Sequence, residues 1–426
     1  MDVWIQLLSK FAYACVQLLI NPFLYIAILF LALQYSKQIR LERKLFHARL
    51  HSFRGEVLRS VIVGFIGGIA VSLIMLAFGT QLTSGTIIIL WMISLVMMVF
   101  RVRFLCLAYS TGVLGLLHAI FALFPNATEW TFIGPVIGWI MDSQMAGLLL
   151  LVGLLHILES LLVLKQGEHM ASPMFFSGKR GKIVGGYSLQ GFWPVPLFLL
   201  MPLAISDGGF SLPWTPLFGG DVWSAGAMMM GFPIMIGFSE ISVSRLPKHK
   251  VRLSSKGLFV YGVIMVCLAI GSYYWPPLIV ISSVLSIALH EGLIWYSVWR
   301  EKTESPLFVN DPRGLRILAV LPGSPADEIG LKTGEIISKV NGQAILTRRD
   351  LFEAMRINPA FCKLEVINEQ GEIKFAQRAI YSGDHHELGI IISPDQDTRY
   401  YVEFRQPNFI DFLKGKLKGK GQQLNS

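Results

Sequence analysis

The sequence predicts two joined parts: a polytopic α-helical membrane bundle of about eight or nine spans, then a C-terminal α+β domain built as a small, partly open β-barrel with two helices. Three observations carry this. Of 426 residues, 53% are hydrophobic and 15% charged, and the mean hydropathy of +0.55 places the chain in the integral membrane class. Apolar runs long enough to cross about 30 Å of hydrocarbon recur through residues 1–300. From Gly314 to Asp395 the apolar runs shorten and alternate with turn residues. The expected division is 1–300 transmembrane, 301–311 linker, 312–395 folded domain and 396–426 basic tail.

The predicted spans are 60–79, 85–100, 104–124, 145–164, 190–205, 226–243, 257–274 and 277–297. Asn21-Pro22 splits the first segment into 3–20 and 23–35, which reads either as one span preceded by an interfacial helix or as a helical hairpin. The side of the N-terminus stays open on this reading. Asp2 and the lack of a basic leader with a small-residue cleavage site argue against a removable signal peptide. Gly64-x3-Gly68-x3-Ser72 and Thr111-x3-Gly115 are small-residue stripes suited to close helix packing, within the chain or in a homo-oligomer. Pro194, Pro196, Pro202 and Pro233 break or bend helices.

Basic residues orient the bundle. Lys37, Arg40, Arg43, Lys44, Arg49, Arg54 and Arg59 fill one connection, Arg101 and Arg103 another, and Lys165, Lys179, Arg180 and Lys182 a third. Arg245, Lys248, Lys250, Arg252 and Lys256 fill the next, whereas 81–84, 125–142 and 207–221 carry no Lys or Arg. This alternation predicts that Arg300 and all that follows are cytoplasmic. Much of the net charge of +9 is thus explained by topology, and no nucleic-acid partner is needed. The basic run from Lys414 to Lys420 has two readings: attachment to anionic membrane lipid, at roughly 1 kcal/mol per Lys, or a solvated terminus.

A search for chemistry finds no catalytic constellation. A zinc metalloprotease needs two His at i and i+4 with Glu between, but His290-Glu291 is followed by Ile294 at that place. His156 and Glu159 share a helix face with no third ligand at motif spacing, and His169 follows Glu168 in a loop. Gly186-Tyr187-Ser188 is a lone tripeptide at the entry to an expected span. The segment from Gly178 to Lys182 lacks the Ser/Thr of a phosphate loop. Cys15, Cys106, Cys267 and Cys362 read as reduced, buried thiols. His118, His156, Glu159, Glu240, His290 and Glu291 are intramembrane ionisable groups, which would serve a transporter as a proton relay or a packed bundle as interhelix hydrogen bonds. The reading is non-enzymatic, with no metal or cofactor.

The C-terminal domain is legible element by element. Leu315 to Leu321 is a strand stopped by Pro322-Gly323; Ser324 caps a short helix with Pro325 first and Gly330 closing it. Ile336 to Val340 is a second strand, and Asn341-Gly342 favours a tight turn. Thr347 and Asp350 form a capping box for a helix with Leu351, Ala354 and Met355 on one face. Leu364 to Asn368 and Ile373 to Ala379 flank a hairpin turn, and Leu388 to Ile392 is a last strand.

The run PGSPADEIGLKTGEIISKVNG resembles the core of a bacterial-type PDZ domain, and the resemblance covers about 312–395, with Glu335 where Asp is more frequent. It implies a peptide groove in which backbone groups of Leu388, Gly389 and Ile390 bind a client, beside an apolar wall of Leu351 and Met355. His385, His386 and Glu387 precede that segment, and Glu387 would repel a terminal carboxylate; a free C-terminus and an internal segment both stay open as ligands. The whole-chain layout is similar to the MinJ family of division topological determinants from endospore-forming Gram-positive bacteria. That similarity implies a non-enzymatic scaffold of the cell membrane at poles and division septum, bridging a DivIVA-like polar protein to a MinD-like ATPase. The alternatives are a PDZ adaptor linked to an intramembrane protease and a transporter with a regulatory PDZ domain.

Overall fold

The computed structural model describes residues 3–178, 181–202, 214–218, 227–381, 388–395 and 401–402. At the N-terminus, α1 (Val3–Ile20) and α2 (Pro22–Phe46) are separate helices. Pro22 opens α2 and the Asn21 side chain accepts the Phe23 N–H at 3.0 Å, so the break is a capped helix start. α2 continues to Phe46, so that Lys37, Arg40, Arg43 and Lys44 ride on its last turns. There follow α3 (Phe53–Phe78), α4 (Ser84–Phe100), a 3₁₀ turn (Val102–Leu105), α5 (Leu107–Phe121), α6 (Gly134–Met141) and α7 (Met145–Gln166). After a sheet described below, α8 (Pro247–Tyr274) and α9 (Leu278–Thr303) complete the bundle. Among the described residues, five helices (α2, α3, α7, α8 and α9) are long and apolar enough to cross a membrane, fewer than the eight or nine expected; α4, α5 and Leu7–Ile20 are shorter apolar helices.

Two expected spans are not helices. In place of 190–205 and 226–243 stands an antiparallel pair, β2 (Ile183–Pro202) and β3 (Ala227–Ser242), in register from Tyr187↔Ser242 to Pro202↔Ala227. β1 (Ala171–Ser177) pairs with the first part of β2. The prolines give the physical reason. Pro194 and Pro196 inside one helix would remove two intrahelical N–H groups and crowd the preceding turn. A short apolar run does not by itself distinguish strand from helix.

A strand edge inside an apolar bundle must have its backbone groups satisfied. β1 reaches only Leu189, and beyond it the edge of β2 lies against α3. Pro194 and Pro196 have no N–H to satisfy. The Phe198 N–H donates to Ser72 Oγ at 2.8 Å, and the Leu200 carbonyl accepts the Leu82 N–H at 2.9 Å. Gly64 and Gly68 sit directly over the Pro194 and Pro196 carbonyls, where any Cβ would collide. The Gly64-Gly68-Ser72 stripe therefore seats a strand, not a second helix. In the other stripe, Gly115 of α5 does meet a helix, lying against Ser283 of α9, and its neighbour Gly112 lies against Ile287.

The C-terminal domain contains β4 (Leu315–Val320), α10 (Pro325–Glu328), β5 (Ile336–Val340), β6 (Gln343–Ala344), α11 (Arg348–Ile357), β7 (Phe361–Ile367), β8 (Ile373–Ala379) and β9 (Ile390–Ile392). The strand order is β8-β7-β5-β4-β9, with β6 on β5. Local chemistry sets these elements. Ser324 accepts the Asp327 N–H, Gly330 has φ +73°, and Asn341 and Gly342 have φ +50° and +82° in the β5–β6 turn. Thr347 and Asp350 make both capping-box bonds at the start of α11. The core gathers Ile317, Ile337, Val340, Leu351, Leu364 and Leu388.

Candidate peptide-binding site

β9 is an edge strand, paired with β4 on one side and with no other strand among the described residues. The turn that leads into it has Leu388 at φ +56° and Gly389 at φ +76°. A left-handed leucine costs about 1–2 kcal/mol and persists only where its surroundings impose it. They do so here: the Leu388 carbonyl accepts the Ala326 N–H at 2.9 Å, and the Gly389 carbonyl accepts the Leu321 N–H at 2.8 Å. A Cβ at Gly389 would collide with the Ser324 side chain. The turn is thus clamped to the end of β4 and the start of α10.

Four of the five residues expected to form the groove share one core. Leu388, Ile390 and Leu351 are 1%, 4% and 2% exposed, and Met355 packs against the same cluster. Ile391 points the other way, into a second cluster with Leu318, Ala319, Tyr187, Leu246 and Phe308. His385, His386 and Glu387 lie outside the described residues, as does the Lys414–Lys420 run.

That second cluster ties the domain to the base of the β2–β3 hairpin, a contact with no signal in local sequence pattern. The Tyr187 hydroxyl donates to the Leu318 carbonyl. The Gly185 N–H donates to the Phe308 carbonyl at 2.8 Å, and the Leu307 N–H to the Val243 carbonyl at 2.9 Å. Glu301 accepts the Val243 and Ser244 N–H groups at 2.9 and 3.0 Å. Lys248 pairs with Glu369 at 2.6 Å, a hydrogen bond that holds the Glu369 carboxyl below its ordinary value. Arg313, with Arg316, holds Asp311 in the linker well below the usual carboxylate range. Past the domain, Val402 returns to β1, its N–H donating to the Phe175 carbonyl at 2.8 Å.

Other residues singled out by sequence lie apart from this turn. Glu240 is part of an ionic network in which Lys250, 1% exposed, lies 3.3 Å from Glu240, 3.1 Å from Glu301 and 2.8 Å from the Ser297 hydroxyl. Ser188 is a rung of the β1–β2 ladder opposite Ser172. His156 of α7 and His290 of α9 meet beside Cys106, while Glu291 pairs with Arg103.

A family profile described as a PDZ domain matches residues 316–368. The "Cell division topological determinant MinJ" of Bacillus subtilis (strain 168) is 30% identical over 381 residues, which cover 88% of this chain and 92% of that protein. Proteins named "Probable cell division topological determinant MinJ" from Lacticaseibacillus paracasei and Lacticaseibacillus casei (strain BD-II) are each 26% identical over 365 residues, 83% of this chain and 90% of theirs. No solved structure matches the chain significantly. With apolar helices, a PDZ domain and that identity over nearly its whole length, the chain belongs to the MinJ family of cell division topological determinants.

Proposed function

We propose that this chain serves division-site selection as a multi-pass membrane scaffold that captures a protein client on the free edge of β9. The observation that carries the reading is β9 itself, an edge strand entered by a clamped, left-handed turn in a PDZ domain. An extended segment added to such an edge gains main-chain hydrogen bonds, and neighbouring side chains set its specificity. Leu388, Gly389 and Ile390 supply the backbone side of the groove, and Met355, backed by the buried Leu351, its apolar wall. The added strand is either a free C-terminus or an internal segment.

A cytoplasmic PDZ domain is supported by how connections meet at the two ends of the bundle. Basic connections gather at one end: the His51 ring bonds the His169 carbonyl at 2.8 Å, and Arg245 pairs with Glu304 at 2.7 Å. Connections without Lys or Arg gather at the other, where Gln81 N–H donates to Gln144 Oε1 at 2.9 Å and Phe218 N–H to the Phe78 carbonyl at 2.8 Å. A hairpin in place of two spans returns to its own side, so the alternation survives and the basic end is cytoplasmic. The partners we propose are a DivIVA-like polar protein and a MinD-like ATPase, bridged at poles and septum.

The test is the position of a C-terminal fluorescent fusion in dividing rod-shaped cells, beside a chain ending at Lys302. Septal and polar signal, with filaments or minicells when the gene is deleted, is the expected result. Uniform membrane signal with normal division after deletion overturns it. Met355→Lys should weaken client pull-down with the PDZ domain still protease-resistant; undiminished capture would refute the α11 wall.

A further inference from the structure

Three side chains distant in sequence converge inside the bundle. Cys106 lies between the 3₁₀ turn and α5, His156 midway along α7 and His290 midway along α9. Their ligand atoms lie within 4.8 Å of one another, with Cys106 Sγ 3.5 Å from His156 Nε2 and 3.7 Å from His290 Nε2.

A count of protons at this cluster leaves a deficit. His156 Nδ1 is 2.7 Å from the Val152 carbonyl, which only accepts, so this nitrogen carries the proton. His290 Nδ1 is 3.0 Å from the Tyr109 hydroxyl. The single Tyr109 proton is spent on Glu291 Oε2 at 2.7 Å, so Tyr109 accepts from His290 Nδ1–H. Glu291 is in turn paired with Arg103, which keeps it an acceptor. A neutral imidazole with its proton on Nδ1 has a bare Nε2 lone pair, and both Nε2 atoms face Cys106. One thiol proton cannot satisfy two such nitrogens, whereas one cation in place of that proton satisfies all three ligand atoms.

We infer that Cys106, His156 and His290 bind one closed-shell d¹⁰ metal ion, Zn(II) or Cu(I), through Sγ and the two Nε2 atoms, with release of the thiol proton. Metal–sulfur and metal–nitrogen bonds of about 2.3 and 2.0–2.1 Å place S and N ligands about 3.5 Å apart around a tetrahedral ion and about 3.8 Å around a trigonal one. The observed separations of 3.5 and 3.7 Å fall within that range. A thiolate with two imidazoles is a ligand set for ions of borderline or soft character. The far ring nitrogens are held as metal-bound histidines need: one by a carbonyl, the other through Tyr109 by a carboxylate. Bound metal would fasten the α4–α5 connection to α7 and α9. It is independent of the PDZ groove and assigns no reaction to the chain.

The test uses the full-length protein purified in detergent under reducing conditions. Co(II), a spectroscopic stand-in for Zn(II), should give a thiolate-to-metal charge-transfer band that saturates at stoichiometric metal. Cu(I) is scored by retention against a competing chelator, and the two titrations distinguish the ions. Cys106→Ser should abolish the band, and His156→Asn or His290→Asn should weaken binding at least tenfold. Cys267→Ser, at an exposed thiol, should change nothing. A band that survives Cys106→Ser refutes the site. If the variants fail to fold, the wild-type titrations decide, since absence of both the cobalt band and copper retention overturns the inference.

Discussion

The seat of β2 on α3 gives the sharpest stability prediction. Gly68→Ala adds one methyl group facing the Pro196 carbonyl, about 1 Å inside ordinary van der Waals contact, and that oxygen is fixed in a strand paired with β3. α3 must therefore back away. Ser72 lies one turn further along the same face, so this retreat also stretches its 2.8 Å bond from the Phe198 N–H. Overpacking costs about 1–3 kcal/mol, and a buried N–H left unpaired about 1–3 kcal/mol more. Gly68→Ala should then destabilise by about 2–6 kcal/mol, and Ser72→Ala, which loses only the hydrogen bond, by about 1–3 kcal/mol. Gly138→Ala, with nothing near its Cβ, is the control and should be neutral or stabilising by up to about 1 kcal/mol. The assay is unfolding in detergent, followed by tryptophan fluorescence, with all four proteins at one concentration. Gly68→Ala unfolding together with Gly138→Ala would refute the claim that this stripe carries a strand.

Three further outcomes are expected. Gly389→Ala meets both a left-handed backbone and the Ser324 side chain, and should loosen the PDZ domain by about 2–4 kcal/mol, seen as faster limited proteolysis of the full chain beyond Thr303. Lys250→Met leaves Glu240 and Glu301 without their shared cation and should cost about 3–5 kcal/mol in the same unfolding assay, part of it recovered by adding Glu301→Gln. At His51, burial works to lower the pKa, but the Glu42 hydrogen bond and charge, with the His169 carbonyl, outweigh it and hold it above 6.5. That stabilisation is full below about pH 6.5 and fades as pH rises through the higher folded value, so His51→Gln should flatten this part of the stability–pH curve, and an unchanged slope would remove the pair from the account.

Legibility in the sequence followed the range of the interaction. The PDZ elements rest on contacts a few residues apart: the Ser324 cap, the Asn341-Gly342 turn and the Thr347–Asp350 box are each readable from the residues that make them. The hairpin is not legible because its apolar content matches a membrane helix and its decisive partners lie on α3, more than a hundred residues upstream. The prolines read as helix breakers in sequence, but only the structure shows why two of them help: on the edge that faces Gly64 and Gly68, a missing N–H is a group that needs no partner.

The Cys106–His156–His290 cluster marks the same boundary at the level of chemistry. Motif searches for metal sites test short spacings, because one helix turn or one loop can fix two ligands locally. These three residues come from one connection and two helices, and the packing of α5 and α7 against α9 brings them together. Tested singly, His290-Glu291 fails as a protease motif and Cys106 reads as an inert thiol. Assembled, they present two bare imidazole nitrogens to one sulfur, and the groups fixing those nitrogens, Val152 and Tyr109, lie on elements that already carry a ligand or adjoin one. For ligands gathered across a bundle, the informative test is a count of protons at the assembled cluster, not the spacing of residues along the chain.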